Sequence, residues 1–315
     1  MNEAIRLKLR VAFIIFFSAM GGMLYGYDIG IINSAFLFIH NDIPMSTFET
    51  SLLGGSVLFG GAFAILLAGV IADIIGRKKT LILSGLIFII SVGIIYISNS
   101  YLELLLARLV QGISVGFITV TVPLYLTETV PALVRGIAVT CFQLFLTAGI
   151  LISNYVGLLF EKSADWRGMF LTALIPAVVF FVGTFFLYRS PRWLTMVNKD
   201  KDATDVLTAV LGKEQASKEF SEIKKVLEKS KEEGNIWQCL GHKHYLYPIL
   251  LVFSIAILAQ LTGINSILQF SAMMLKESGL GSNHIAILGG ITITGINFLA
   301  TILAVLIADK FERKK

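Results

Sequence analysis

The chain has 315 residues, of which 56% are hydrophobic and 15% charged, and its mean hydropathy is +0.80. This balance excludes an ordinary soluble domain and indicates a polytopic membrane protein of the all-α class. The formal charge of +5 is explained by basic residues in the loops between apolar segments, so it does not indicate nucleic acid binding.

Eight apolar stretches are each near or above the roughly 20 residues that a hydrocarbon core of about 30 Å requires. They cover residues 11–39, 49–72, 80–98, 102–127, 136–160, 169–188, 246–275 and 284–308. The first follows basic residues, as a secretory signal would, but it far exceeds the short apolar core of such a signal. We therefore predict eight transmembrane helices, the first of them uncleaved.

The lysines and arginines of the short connections fall on one side of this eight-span arrangement. They are Arg6, Lys8, Arg10, Arg77, Lys78, Lys79, Arg135, Lys310, Arg313, Lys314 and Lys315. The opposite loop at 40–48 contains no lysine or arginine, and Asp42 is its only acidic residue. Basic loops stay inside, so we predict a multi-pass protein of the inner (plasma) membrane with both termini cytoplasmic.

A long polar segment separates the sixth and seventh spans. Residues 189–245 join them on the cytoplasmic side, and apolar residues recur within 201–232 at near-helical spacing, which predicts short amphipathic helices. The apolar positions are Val206, Leu207, Val210, Phe220, Ile223 and Leu227. The predicted division is a six-helix bundle at 1–188, a cytoplasmic linker at 189–245 and the first two helices of a second bundle at 246–315.

An internal repeat supports this division. The pattern Ile-Ala-Asp-x-x-x-Arg-Lys-Lys occurs at 71–79 after the second span and again at 307–315 after the eighth. The repeat unit is therefore six helices, and parallel six-helix halves are one of the designs of secondary transporters. A second half on this plan has six helices, of which the chain holds two. The sequence leaves open whether the remainder is truncated, interrupted or supplied elsewhere.

The sequence lacks the residue patterns that several classes of site require. Cys141 lies within a span and Cys239 in the linker, so no disulfide framework is expected. The four histidines, His40, His242, His244 and His284, form no metal-ligand pattern. There is no nucleotide-binding loop and no hydrolase triad. We expect no enzyme activity, no metal and no organic cofactor.

Asp28 lies in the middle of the first apolar run. An ionised aspartate at a membrane helix centre costs about 2.5–3.5 kcal/mol, and such residues face a bundle interior and are functional by default. Gly22, Gly26 and Gly30 repeat every four residues and form a ridge that another helix can approach closely. Gly112 and Gly116 form such a ridge on the fourth span. Asp28 lies about 200° around the helix from Gly26, so we predict that it faces away from the ridge of its own helix.

Arg108 is the predicted partner of Asp28. Asp28 lies roughly 25 Å from the cytoplasmic start of its span, and Arg108 lies roughly 10 Å from the outer end of the fourth, so their depths nearly coincide. One interpretation is a fixed ion pair that only joins two helices. The other is a proton site: a nearby arginine stabilises the carboxylate, whereas withdrawal of the arginine and of water favours the neutral acid.

Six motifs occur in one order along nearly the whole chain and carry a family resemblance. They are Gly26-Tyr27-Asp28, Gly69-x-x-x-Asp73-x-x-Gly76-Arg77-Lys78, Arg108-x-x-x-Gly112-x-x-x-Gly116, Pro123-x-Tyr125-x-x-Glu128 with Arg135-Gly136, Ser190-Pro191-Arg192-Trp193-Leu194 and Gln260-Leu261-Thr262-Gly263-Ile264-Asn265. The chain resembles the sugar porter family of the major facilitator superfamily, and most closely its bacterial sugar–proton symporters of the xylose type. The resemblance implies a major facilitator fold consisting of the N-terminal six-helix half and the first two helices of the second half.

The resemblance also implies residue roles. In similar symporters the residue matching Asp28 couples the proton and the residue matching Arg108 tunes it, whereas glucose facilitators commonly have asparagine at the first position. The proton is then the coupling ion. A cytoplasmic charge network is implied for Asp73, Arg77, Glu128, Arg135 and Arg192. The alternative for these basic residues is plain anchoring at the inner membrane surface.

A sugar carries hydroxyls and no charge, so its site needs neutral amides and an apolar wall. Four amides lie within roughly 10 Å of the predicted midplane and match sugar-contacting positions of the family. They are Gln143, Gln260, Asn265 and Asn297. We expect them to be buried mid-span, with simple helix–helix hydrogen bonds as the alternative role.

Four departures from the family pattern stand out. Ala259 replaces the first glutamine of a pair, and Gln269-Phe270 replaces a commonly aromatic pair, which predicts a different sugar or a lower affinity. Tyr188-Arg189 replaces Pro-Glu, and Glu312 replaces glycine in the second loop motif, and both changes weaken the cytoplasmic charge network.

Three functions follow as hypotheses. The leading one is proton-coupled monosaccharide transport by alternating access, with the lipid bilayer as surroundings, a monomer favoured and no nucleic acid as partner. The second is an uncoupled facilitator of sugars or polyols, against which Asp28 argues. The third is a non-transporting membrane protein, either an inert remnant or a sugar sensor.

Overall fold

The computed structural model describes residues 3–232, 243–279 and 282–308. Its helices are α1 Glu3–Asp42, α2 Thr47–Ile75, α3 Arg77–Ile97, α4 Tyr101–Thr129, α5 Arg135–Phe160, α6 Trp166–Leu171, α7 Leu174–Phe186, α8 Pro191–Met196, α9 Asp200–Leu211, α10 Lys213–Glu232, α11 Lys243–Leu261, α12 Ile264–Glu277 and α13 Asn283–Ala308. Eight helical segments of the described chain are long and apolar enough to cross a membrane, which confirms the predicted number of spans.

Two of the predicted spans are not continuous helices. The sixth is divided into α6 and α7, and the seventh into α11 and α12. The second break falls at Gly263, whose φ of 71° lies in the left-handed region that glycine adopts without steric cost. The span predicted at 246–275 is present as Leu246–Glu277, but the sequence prediction did not mark its interruption, because hydropathy records apolar length and not backbone direction.

Capping boxes begin two of the spanning helices. Ahead of α2, the Ser46 hydroxyl accepts from the Glu49 amide at 3.3 Å, while the Glu49 carboxylate accepts from the Ser46 amide at 2.8 Å. Ser100 and Glu103 repeat this arrangement at the start of α4. Each box satisfies two main-chain donors that the first turn of a helix leaves free. Both of these helices therefore begin at points that the sequence encodes locally.

Glycines set the distance between the spanning helices. A Cβ atom added to Gly22 or Gly26 of α1 would collide with the main-chain oxygens of Phe142 or Leu146 on α5. On α4, a Cβ at Gly112 would collide with the Val57 carbonyl of α2. These contacts confirm that the glycine ridges predicted from the sequence are close-packing surfaces.

We expect Gly26→Ala to destabilise the protein by about 1–3 kcal/mol, because the new methyl group has no room and α1 must move away from α5. Gly93→Ala is the matched control, since a Cβ at this mid-span glycine meets nothing within 4 Å. The control should leave stability unchanged or raise it by up to about 1 kcal/mol. Thermal unfolding in detergent measures both variants, and equal midpoints would contradict close packing at Gly26.

The segment after the sixth span forms the helices α8, α9 and α10. Ala203, Leu207 and Val210 of α9 are buried, and Arg10 at the start of α1 donates to the carbonyl of Ala209 at 2.7 Å. Lys224 of α10 pairs with Asp200 of α9 at 2.7 Å, and this carboxylate raises the pKa of Lys224 above its ordinary value. The linker helices therefore dock on the beginning of α1 and on each other.

Some predicted features lie outside the described residues. They are Cys239, His242 and the second copy of the loop motif from Asp309 to Lys315, including Glu312. The division of the chain at 188/189 and 245/246 stays a prediction. The described parts of the seventh and eighth spans do contact the first bundle, because α12 packs on α1 and α13 packs on α5.

Candidate functional site

The centre of the first bundle holds an ion pair. Arg108 of α4 donates through Nη1 to Asp28 Oδ1 of α1, and through the same nitrogen to Gln111 Oε1 at 2.9 Å. Both charged side chains are at most 1% exposed. The Arg108 guanidinium also lies 5.4 Å from the centre of the Phe170 ring on α6. The contact predicted from helix depth is therefore present, and Asp28 faces α4 and not the glycine ridge that packs on α5.

Hydrogen bonding at this pair is incomplete. Four buried atoms have no hydrogen-bond partner among the described residues: Asp28 Oδ2, Arg108 Nε and Nη2, and Gln111 Nε2. An unsatisfied buried polar group costs about 1–3 kcal/mol, and more when it is charged. The polar atoms of this charge pair are therefore not all bonded to described residues.

A tyrosine next to Asp28 fixes α1 against the break in the sixth span. The Tyr27 hydroxyl donates to the Met169 carbonyl at 3.1 Å and contacts the Thr172 hydroxyl. Thr172 lies between α6 and α7, where the helix is interrupted. The same break thus lies close to Phe170, which contacts Arg108, so α1, α4 and α6 meet around the ion pair.

A second polar cluster joins the two parts of the chain. The Asn33 amide of α1 donates to Asn154 Oδ1 of α5 at 2.9 Å, and its oxygen accepts from the Ala272 main-chain amide of α12 at 2.8 Å and the Ser271 hydroxyl at 3.3 Å. A Cβ at Gly290 of α13 would lie 2.8 Å from this asparagine nitrogen. Sequence reasoning missed the cluster, although asparagines within apolar runs are a signal that could have marked it.

The four predicted amides are not gathered into one site. Asn265 donates to Gln260 Oε1 at 3.0 Å across the break at Gly263, so these two lie together. No hydrogen bond among the described residues joins the side chain of Gln143 or Asn297 to them. The prediction that all four are buried is wrong: Gln143 and Gln260 are exposed, and Asn265 and Asn297 are partly so. Hydropathy locates a span but does not say which of its faces another helix will cover.

The predicted cytoplasmic network is partly assembled. Arg77 is buried, lies 2.7 Å from Asp73 and donates through Nη2 to Glu128 Oε1 at 2.9 Å. The Ser190 hydroxyl donates to the other Glu128 oxygen at 2.5 Å, so α8 is attached to α4. This links the loop between α2 and α3 to α4 and to the helix that follows the sixth span.

The two remaining members of the network lie elsewhere. Arg135 donates to Glu219 of α10 at 2.5 Å instead of joining Glu128. Arg192 is exposed and makes no ion pair with a described residue, although it lines a cavity of about 320 Å³ with Glu128 and Arg135. Sequence reasoning missed Glu219, because the position of α10 depends on how the linker packs and not on local pattern.

Comparison with known proteins adds to these observations. The family model described as "Sugar (and other) transporter" matches residues 14–315. The "Glucose transporter GlcP" of Staphylococcus epidermidis is 36% identical over 298 residues, which are 94% of this chain and 66% of that relative. The "D-xylose transporter" of Levilactobacillus brevis is 31% identical over 98% of this chain and 67% of its own length. The chain spans about two thirds of the length of the curated relatives it matches.

Solved structures agree with the sequence relatives. The partially occluded inward-open form of the xylose transporter XylE from E. coli has a TM-score of 0.81 at 26% identity, covering 96% of this chain and 74% of that one. A second XylE structure, the proton:xylose symporter bound to 6-bromo-6-deoxy-D-glucose, has a TM-score of 0.84 and covers 98% and 71%. These proteins are transporters and not enzymes. The chain belongs to the sugar transporter family of the major facilitator superfamily and has its fold.

Proposed function

We propose that this chain forms the larger part of a proton-coupled monosaccharide transporter that works by alternating access in the plasma membrane, with both termini cytoplasmic. The buried ion pair of Asp28 and Arg108 is the observation that carries the proposal. Ionisable groups inside a membrane bundle mark proton and substrate paths. Relatives named as galactose–proton and arabinose–proton symporters support coupling to protons.

The geometry of the pair supports proton binding at Asp28. Oδ1 is bonded to Arg108, whereas Oδ2 has no partner among the described residues and is the oxygen proposed to receive a proton. A neutral acid no longer attracts the guanidinium, which keeps its contacts with Gln111 and the Phe170 ring. Protonation therefore loosens α1 from α4, and release of the proton restores the pair.

We assign sugar binding first to the two amides of the seventh span, Gln260 and Asn265. The Gln260–Asn265 bond holds two amides in place across the break in the seventh span, and broken helices line substrate cavities in secondary transporters. Phe270, stacked on Phe36 at 5.2 Å between ring centres, supplies an apolar surface nearby. Gln143 and Asn297 complete the proposed set from α5 and α13.

Two sets of polar contacts, one toward each end of the bundle, explain how alternating access would work in this proposal. The Arg77–Glu128–Ser190 contacts hold one end of the first bundle, and the Asn33 cluster ties α1 and α5 to α12. A transporter that exposes its site to one side at a time must open one set of contacts while it keeps the other. We assign the first set to the cytoplasmic side and the second to the outside.

Binding of an aldose to the chain tests the proposed sugar site. We expect D-glucose or D-xylose to bind at sub-millimolar to millimolar strength, and Gln260→Ala to weaken binding roughly tenfold or more, because the site loses an amide and leaves Asn265 without its partner. Gln143→Ala should act similarly. Gln215→Ala, an exposed amide on α10, is the matched control and should bind as the parent does.

Titration calorimetry on purified protein in nanodiscs makes this measurement. Unchanged affinity in both Gln143→Ala and Gln260→Ala would remove these amides from the sugar site. A parent protein that binds no aldose would contradict the proposal that this part of the chain recognises sugar.

A further inference from the structure

A basic cavity of about 180 Å³ lies where α2 ends and α3 begins. It is lined by residues 75–79, Ile82, Arg189, Ser190 and Trp193. The lining contains no aspartate or glutamate, and it lies at the membrane end that also carries α8. Neither the proposed proton site nor the proposed sugar site uses this cavity.

Three cations at the cavity have no acidic partner. Lys79 and Arg189 are exposed and make no ion pair or side-chain hydrogen bond with described residues. Lys78 donates to the Phe185 main-chain carbonyl at 2.7 Å, which is a neutral acceptor. The fourth cation, Arg77, is already paired with Asp73 and Glu128. Counted with the two carboxylates that Arg77 contacts, the four cations leave a surplus of two positive charges, which suits an anion.

The remaining walls are apolar and lead to the lipid-facing surface. Ile75 and Ile82 line the cavity, and the adjoining side chains of α3 and α7 are exposed on the membrane side: Leu83, Leu86, Phe185 and Phe186. Trp193 packs on Gly76, and its indole donates to the Asp73 carbonyl at 2.9 Å, so this wall is fixed. Tryptophan is typical of the head-group level of a bilayer. A ligand that fits both parts has an anionic head and a hydrocarbon tail.

Arg189 lies between α7 and α8 and contributes one of these charges. Arg189→Glu would move the local charge by two units, so the surplus of two would fall to zero. Each basic residue near an anionic membrane surface strengthens lipid binding about fivefold, so this substitution is large enough to remove a preference among lipids.

We propose that this cavity binds the phosphate head group of an anionic phospholipid, held by Lys78, Lys79 and Arg189, with its acyl chains lying along α3 and α7. The ligand is the lipid and not free phosphate, because the cavity opens onto an apolar face that a free anion would leave unused. The proposal is independent of whether the protein couples sugar to protons.

Quenching of Trp193 fluorescence by brominated lipid tests the proposal. The full chain with Trp166→Phe and Trp237→Phe retains Trp193 as its only tryptophan. In phosphatidylcholine vesicles that contain increasing fractions of dibrominated phosphatidylglycerol, we expect stronger quenching than with dibrominated phosphatidylcholine. Arg189→Gln should reduce the preference about fivefold and Arg189→Glu at least tenfold. Lys201→Glu, an exposed cation outside the cavity, is the control and should change it by less than about twofold.

Each outcome either supports the proposed phospholipid site or overturns it. Equal losses in Arg189→Glu and Lys201→Glu would show a general basic surface and overturn the site. An absence of lipid preference in the parent would also overturn it, and displacement of the brominated lipid by millimolar inorganic phosphate would assign the cavity to a free anion. If the single-tryptophan variant does not fold, native mass spectrometry of the unaltered chain and Arg189→Glu gives the same comparison through retained phosphatidylglycerol.

Discussion

Arg108→Met is expected to destabilise the protein by about 3–5 kcal/mol, because it leaves the Asp28 carboxylate buried without its counter-charge. Both side chains are at most 1% exposed, so water cannot replace the lost partner. The loss should shrink as the pH falls, since a protonated Asp28 needs no positive partner. Thermal unfolding in detergent between pH 5 and pH 8 measures the effect.

A double variant separates the pair from the rest of the site. Asp28→Leu with Arg108→Met removes both charges and should regain most of the stability lost by Arg108→Met alone, because no unpaired charge remains. Gln111 then loses its partner, which leaves a residual cost of about 1–3 kcal/mol. An Arg108→Met protein that is as stable as the parent at pH 8 would contradict a buried, charged Asp28.

Asp28→Asn is expected to abolish accumulation of sugar against a gradient while sugar exchange across the membrane continues. Asparagine keeps an Oδ1 acceptor but carries no charge, as the neutral acid does, and it cannot bind or release a proton. The variant therefore resembles a protein fixed in the protonated state. Accumulation driven by an inward proton gradient should fall to the level seen with a protonophore.

The accumulation assay needs a transporter of the relatives' length. Residues 1–315 joined to the last third of the Staphylococcus epidermidis glucose transporter, which is 36% identical over the matched region, provide one. Asp42→Asn is the matched control, because Asp42 is a second carboxylate on α1 that pairs with Arg167 and is 47% exposed. The control should accumulate sugar normally. Accumulation by the Asp28→Asn protein would mean that the proton travels elsewhere and that Asp28 is a structural ion pair.

Several features of the fold could be predicted from the sequence because they depend on local chemistry. Membrane spans require long apolar stretches, so their number was readable from hydropathy. The glycine ridges were readable because a four-residue repeat lies on one helix face. The contact of Asp28 with Arg108 was readable for a different reason: helix rise fixes depth, and the membrane leaves a buried charge few partners.

The features that could not be predicted depend on how distant segments pack. Gly263 interrupts the seventh span between Gln260 and Asn265, and polar residues inside a span do not by themselves say whether the helix breaks there. Asn33 and Ser271 are 238 residues apart and meet only because α12 packs on α1. Arg135 pairs with Glu219 because α10 docks beside it, and an amphipathic pattern does not say where its apolar face will lie.

Sugar-driven proton movement is the most direct test of the central claim that Asp28 carries the coupling proton. Vesicles containing the chimeric transporter, loaded with a pH indicator and given sugar without an imposed gradient, should acidify inside as sugar enters. We predict that Asp28→Asn removes this signal, that Asp42→Asn keeps it, and that both variants still exchange labelled sugar. Sugar-driven acidification of the Asp28→Asn vesicles at the parental rate would contradict the account.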